Sequence, residues 1–221
     1  NKNAVVCADY RLLKIDTLDN RSISDRIQEE FCKSIRATPT ECVVFSDFRH
    51  GIFNPETIPD MIAAIPPGCF RVADSQVASR WGNILDFQGF DLITPNEREA
   101  RFALGDQDSV VRPLALRLFK AAECKNLILK LGERGLLAYR QRDNLDDLRS
   151  FFTLDSFAGH VRDSVGAGDA LLAYASLVEV ATRNPVVAAV IGAFAAAIEC
   201  ERDGNVPVTL DDVLGKIDAV E

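Results

Sequence analysis

The 221-residue sequence predicts an α/β protein, with a mostly parallel sheet and helices on both faces. Two observations carry that prediction. Short, wholly apolar runs alternate with stretches of helical period, and most of these runs stop at a polar residue or a glycine. Such runs mark strands buried on both faces, the state of strands in a parallel sheet.

The elements follow in order. Val5-Val6-Cys7 and LLKI at 12–15 read as two short strands about a polar turn at Asp9 and Tyr10. Residues 22–35 read as a helix, since Ile23, Ile27, Phe31 and Ile35 recur four apart on one face. CVVF at 42–45 is a bare apolar strand ending in Ser46-Asp47, and 55–65 is the helix after it. FRVA at 70–73 is a strand ending at Asp74, and LIT at 92–94 one ending at Pro95-Asn96. Helices are predicted over 97–103 and 113–122. LILK at 127–130 is a strand closed by Gly132, with 136–139 returning as a hairpin arm. The charged stretch 141–149 reads as a surface loop, and two Ala-rich helices follow over 168–181 and 185–201. In sheets of this kind ligands sit beyond the carboxyl ends of the strands, where Asp47, Asp74, Asn96 and Gly132 fall.

Composition narrows the partners. With 25 Lys and Arg against 33 Asp and Glu, the net charge is −8, which repels nucleic acid and anionic membranes. Residues 186–198 form the most apolar run, short of the roughly 20 that a membrane span needs. The opening residues are not expected to form a signal peptide. The six cysteines are scattered without a CxxC pair, so they read as reduced, mostly buried thiols in a cytoplasmic protein. Phe45, Phe48 and Phe53 read as packing, and His50 as a local hydrogen-bonding group. The chain has no initiating Met and is expected to be a fragment.

The stretch DSVGAGD, residues 163–169, carries the chemistry. Gly166-Ala167-Gly168 removes side-chain bulk where backbone must approach something closely. The helix behind it aims unpaired N–H groups and the positive end of its dipole at that spot, forming an anion cradle. Asp169 stands beside it, suited to accept a proton from an attacking hydroxyl. The same residues also suit a structural turn, with Asp163 capping it and Asp169 complementing the dipole. No Lys-Ser or Lys-Thr follows the glycines, so this is not a Walker loop, and no G-x-G-x-x-G follows the first strand.

DSVGAGD resembles the D-[TS]-x-G-A-G-D signature of the ribokinase-like (PfkB) carbohydrate kinases. TPNERE at 94–99 resembles their N-x-x-E motif. LGERG at 131–135 resembles their T-x-G-x-x-G nucleotide loop, with Lys130 where Thr is usual. Residues 195–204 resemble the Ala-rich helix and turn near the adenine and a monovalent-cation site. The resemblance implies Asp169 as catalytic base and the amides of Gly166, Ala167 and Gly168 as the anion hole. It implies nucleotide contacts from Lys130, Gly132, Gly135, Asn96 and Asp163, with Glu99 toward the metal. Asp47 and Asp74 are the expected ligands for sugar hydroxyls. ATP, Mg2+ and a monovalent cation such as K+ are the implied cofactors.

KNAVVCADYRLLKID and VVFSDFRHGIFN further resemble the heptose-phosphate kinase branch, although His50 and Gln76 stand where that branch carries lysines. The division expected is a partial lid over residues 1–19 and an amino-terminally truncated, ribokinase-like nucleotide-binding domain over 20–221. The expected function is ATP-dependent phosphoryl transfer to a hydroxyl of a sugar or sugar phosphate, and a homodimer is admissible. A non-catalytic nucleotide-binding or regulatory protein derived from such a kinase is the alternative.

Overall fold

The computed structural model describes residues 2–7, 10–17, 21–77, 82–145, 147–204 and 206–219. A two-stranded antiparallel sheet of β1 (Lys2–Cys7) and β2 (Tyr10–Asp16) comes first. Tyr10 already belongs to β2, and the expected turn residue Asp9 lies outside the described residues. Helix α1 (Asp25–Ala37) leads to β3 (Cys42–Asp47), α2 (Thr57–Ala63), β4 (Phe70–Ser75) and β5 (Leu92–Ile93). Then come α3 (Glu97–Leu104), α4 (Val111–Ala122), β6 (Asn126–Lys130), β7 (Leu136–Arg140) and β8 (Phe151–Leu154). The long helices α5 (Ala167–Thr182) and α6 (Pro185–Cys200) precede a last helix, α7 (Leu210–Asp218).

Strands β3 to β8 form one six-stranded sheet in chain order. The pairings from β3 through β6 are parallel, and β7 and β8 add antiparallel arms. Each parallel step advances one strand in the same direction, so the crossover helices accumulate on one face. There Phe45, Ala73, Ile93, Leu127 and Leu129 meet Ile58 and Met61 of α2, Ala100 of α3 and Leu114 and Leu118 of α4. Phe45, Phe53, Phe87 and Phe90 interlock in this layer with ring centroids under about 6 Å apart for most pairs. On the opposite face Val72, Leu92, Ile128 and Ala138 pack against Leu171, Leu172 and Ala175 of α5 and Ala189 of α6. The chain therefore has the expected helix–sheet–helix layering.

Strand parity decides where the polar strand ends point. Residues two apart share a face. Asp74 follows Val72, and Lys130 follows Ile128, so both lie on the face covered by α5. Asp47 follows Phe45, and Ser75 follows Ala73, on the opposite face.

Several elements depart from the sequence-based expectation. Helix α1 begins at Asp25, three residues late, behind Ser24 in extended conformation. The edge strand β8 and helix α7 were not foreseen, and a short 3-10 turn, Leu148–Ser150, closes the 141–149 loop. All six cysteines are free, but only Cys32 and Cys124 are buried; Cys7 is exposed and the other three are partly so. Among the described residues no helix is long and apolar enough to cross a membrane.

Candidate active site at the carboxyl end of the sheet

Gly166 adopts a left-handed φ of 90° as the N-cap of α5, and no side chain caps this helix. Helices α3, α6 and α7 are capped by Asn96, Asn184 and Thr209, while α1, α2 and α4 share with α5 the lack of a side-chain cap but not its glycine start. The chain is turned into the helix by Asp163, whose Oδ1 accepts the Val165 N–H at 3.1 Å. Residues 166–168 are partly exposed and Asp169 in the first turn is exposed, so the amino end of α5 opens to solvent with a carboxylate beside it. Gly168 has a spatial reason to lack a side chain: a Cβ there would stand 3.2 Å from Lys130 Nζ.

Lys130 is fixed from both ends. Its N–H donates to the Pro95 carbonyl at 2.9 Å, and it bridges to Asn96 as the last residue of β6. Its ammonium donates to Asp74 Oδ2 at 2.9 Å in an ion pair that is largely buried. The other Asp74 oxygen, Oδ1, is buried without a hydrogen-bond partner, as is Thr94 Oγ1.

Asn96 and Glu99 form a capping box at α3. Asn96 Oδ1 accepts the Glu99 N–H at 2.9 Å, and Glu99 Oε2 accepts the Asn96 N–H at 2.7 Å. Glu99 is buried, and that burial pushes its carboxyl up to about 7; Lys130 opposes the shift, Asp74 adds to it, and the Asn96 hydrogen bonds hold it down. Asp74, Asn96, Glu99, Lys130 and the amino end of α5 thus constitute one electrostatically coupled cluster.

The two residues expected to meet a sugar part company. Asp74 belongs to the cluster, whereas Asp47 lies on the other face, 1% exposed, with both oxygens engaged. Its Oδ1 accepts the Arg49 N–H at 2.8 Å; its Oδ2 accepts from Ser75 Oγ at 2.8 Å and pairs with the Arg49 guanidinium at 2.6 Å. Arg49, held at a left-handed φ of 56°, reaches on to Asp86 at 2.8 Å. Burial pushes the Asp47 carboxyl up, against the pull of Arg49 and Ser75. Arg49 carries this network and was not foreseen; a buried arginine in a strand-end turn has no local sequence signature.

The loop glycines also differ from one another. Gly132, φ 64°, faces open space, whereas a Cβ on Gly135 would stand 2.0 Å from the Leu154 carbonyl oxygen. The bareness of Gly135 is thus demanded by β8. Further along, Arg162 and Asp163 donate backbone N–H groups to the Cys200 carbonyl at 2.8 and 3.3 Å, tying the approach to the cradle onto α6. Glu199 of α6, 2% exposed, keeps Oε1 without a partner. Burial pushes its carboxyl up, Arg202 pulls it down, and the charges of Asp163 and Asp169 raise it further.

Two cavities accompany this arrangement. One of 610 Å³, lined by His160, Arg162, Ile198, Arg202, Val206 and Lys216, adjoins the loop that leads to the cradle. The other, of 680 Å³, opens at the opposite end of the sheet beside Lys125, Arg140 and Glu179, and neither cavity is lined by any of the expected site residues.

A parallel sheet whose strand ends converge on an uncapped, glycine-started helix, with carboxylates and an ammonium around it, defines a ribokinase-like α/β protein. The model of the "pfkB family carbohydrate kinase" matches residues 53–207, and the chain belongs to that family of carbohydrate kinases. The Bifunctional protein HldE of Pelobacter propionicus is 24% identical over 222 residues, covering 98% of this chain and 43% of the relative. The chain therefore spans under half the length of the curated relatives it matches. Among solved structures, phosphofructokinase-2 from Escherichia coli in complex with potassium superposes with a TM-score of 0.74 at 16% identity, over 90% of this chain and 63% of that one. Ribokinase from Thermotoga maritima gives 0.65 at 19%, over 90% and 62%. At such identities these two attest the shared fold.

Proposed function

We propose that this chain is the nucleotide-binding and phosphoryl-transferring part of an ATP-dependent kinase acting on a hydroxyl of a sugar or sugar phosphate. The single observation that carries the reading is the uncapped amino end of α5, with Asp169 beside it and Lys130 against Gly168. Backbone N–H groups there would hold the transferring phosphoryl group, whose charge spreads over its equatorial oxygens. Asp169 accepts the acceptor hydroxyl's proton as its oxygen bonds to the γ-phosphorus. The bridging P–O bond to the β-phosphate breaks, and ADP leaves.

Among the described residues no group of three or more His, Cys, Asp or Glu side chains is gathered as a metal-ion site. That suits Mg2+, which takes one or two carboxylates and completes its shell with water and phosphate oxygens. Glu99, with Asn96 and the unpartnered Asp74 Oδ1 near it, supplies hard oxygen donors of that kind. When bound, Mg2+ would neutralise phosphate charge. Asp163 and the unpartnered oxygen of Glu199 are the groups that would favour a monovalent cation such as K+. The 610 Å³ cavity, apolar at Ile198 and Val206, is the proposed place for the base. Gly132, in open space, lies free to meet the nucleotide; Gly135 shapes that loop.

Asp74 remains the proposed contact to an acceptor hydroxyl, while Asp47 acts indirectly by fixing the loop that carries Arg49 and His50. The resemblance to HldE makes a phosphorylated heptose the first acceptor to try. Residues 1–19 are proposed as part of a lid, and the half-exposed Val5, Leu12, Leu13 and Ile15 there would suit the contact of a homodimer. The alternative, a nucleotide binder without turnover, is favoured by one feature: Lys130 engages Asp74 and crowds the cradle.

The test is a coupled ADP-release assay on the full natural protein with ATP, Mg2+ and a panel of free and phosphorylated sugars. ADP release that depends on one of these acceptors is expected. ATP binding with no turnover on any acceptor would establish the alternative.

A further inference from the structure

Lys130 occupies an electrostatically adverse place. Its ammonium lies against Gly168 in the first turn of α5, where the positive end of the helix dipole already stands and no side chain caps the helix, although the Ala167 N–H donates to the Ser164 carbonyl at 3.4 Å. A cation is disfavoured there unless an anion stands with it. In this structure the anion is Asp74, 2.9 Å away and largely buried, yet only one of its oxygens is used; Oδ1 is buried without a partner. The lysine stem is not free to wander, because its backbone is locked to Pro95 and Asn96. Only the flexible end of the side chain can change partner. A phosphate group seated on the amides of α5 would lie within reach of that end and would relieve the repulsion between ammonium and helix.

The neighbouring sequence sharpens the point. Gln76, two residues past Asp74, is neutral, so this strand end brings no cation of its own. The nearest ammonium comes instead from β6, across the sheet.

We propose that Lys130 is a resident phosphate-binding cation that exchanges Asp74 for a phosphate oxygen, so that this chain binds polyphosphate without a divalent metal. The proposal deepens the kinase reading and rests on it. It concerns binding alone and involves no covalent step.

The experiment is isothermal titration calorimetry of the full chain with sodium tripolyphosphate in EDTA, and separately with ATP in excess Mg2+. The wild type is expected to bind tripolyphosphate in EDTA, Lys130→Met to bind it at least about 10-fold more weakly, and Lys130→Arg to recover most of the affinity. Asp74→Asn releases the ammonium from its competitor and is expected to bind tripolyphosphate as tightly as wild type or tighter. A merely structural ion pair would instead make Lys130→Met and Asp74→Asn weaken binding alike, and that result overturns the proposal. So does wild-type protein that binds Mg2+–ATP but not tripolyphosphate in EDTA, while the kinase reading survives. Protein that binds neither ligand overturns both. Thermal unfolding of each variant shows that it is folded under the titration conditions.

Discussion

Asn96 and Glu99 hold each other twice, each side chain accepting the other's backbone N–H, at 2.9 and 2.7 Å. The pair starts α3 and at the same time fixes a buried carboxyl against Lys130 and Asp74. That double duty gives Glu99 a measurable signature in stability.

The Glu99 carboxyl, at about 7 in the folded protein against an ordinary 4.5, is raised by folding. Between these values the native state keeps a proton that the unfolded chain has released. Its stabilising effect is complete below about 4.5 and is lost as pH rises toward 7, to a ceiling of about 3 kcal/mol. Glu99→Gln preserves the capping geometry but cannot ionise. It should melt within about 1 °C of wild type at pH 4 and roughly 6 to 12 °C above it at pH 8. Equal pH dependence in both proteins would remove Glu99 as the source.

Asp169→Asn should lower kcat of the full natural protein by about 10² to 10⁴, the usual worth of a positioned base. Nucleotide affinity, read by calorimetry, should stay within a few-fold. Retention of more than a few per cent of turnover would exclude Asp169 as the base.

Asp47→Ala strips Arg49 and Ser75 of their shared acceptor in a buried network. The cost should be about 3 kcal/mol, because breaking one side of a buried pair leaves charge uncompensated. Urea unfolding measures it. A loss under about 0.5 kcal/mol, the scale of a surface residue, would contradict the organising role given to this side chain.

Three glycines should respond differently to alanine. Gly135→Ala drives a Cβ into the Leu154 carbonyl at 2.0 Å and should cost well over about 2 kcal/mol or displace β8. Gly132→Ala meets nothing within 4 Å and should cost about 1 kcal/mol for its left-handed backbone. Gly168→Ala meets only the movable end of Lys130, so it should fold normally and lose nucleotide affinity. Circular dichroism melts with parallel calorimetry separate the three outcomes.

The sequence showed the layers of this fold well, because an apolar strand with a polar end such as FRVADS reports two-sided burial, but it overstated CVVFSD, which forms the sheet edge and leaves Val44 exposed. Helix α7 escaped despite a local signal: Thr209 and Asp212 form a capping box of the T-x-x-D kind. Strand β8 is four residues long on a sheet edge and carries too little pattern to stand out. The glycine-started amino end of α5 was legible because its residues are contiguous. The Lys130–Asp74 pair was not, since its members are 56 positions apart and only the pairing of strands brings them together. Asp47 and Asp74 looked equivalent as strand-terminal acids; strand parity sends them to opposite faces.

Because Asp74, Asn96, Lys130 and Gly168 arrive from three adjacent strand ends and the helix laid over them, no stretch of a few dozen residues contains the whole of the proposed phosphate pocket. Ligand affinity is therefore a gauge of whether the central layers have assembled in register. On the proposed reading, a nicked or partly folded chain would lose nucleotide before it lost its helical content.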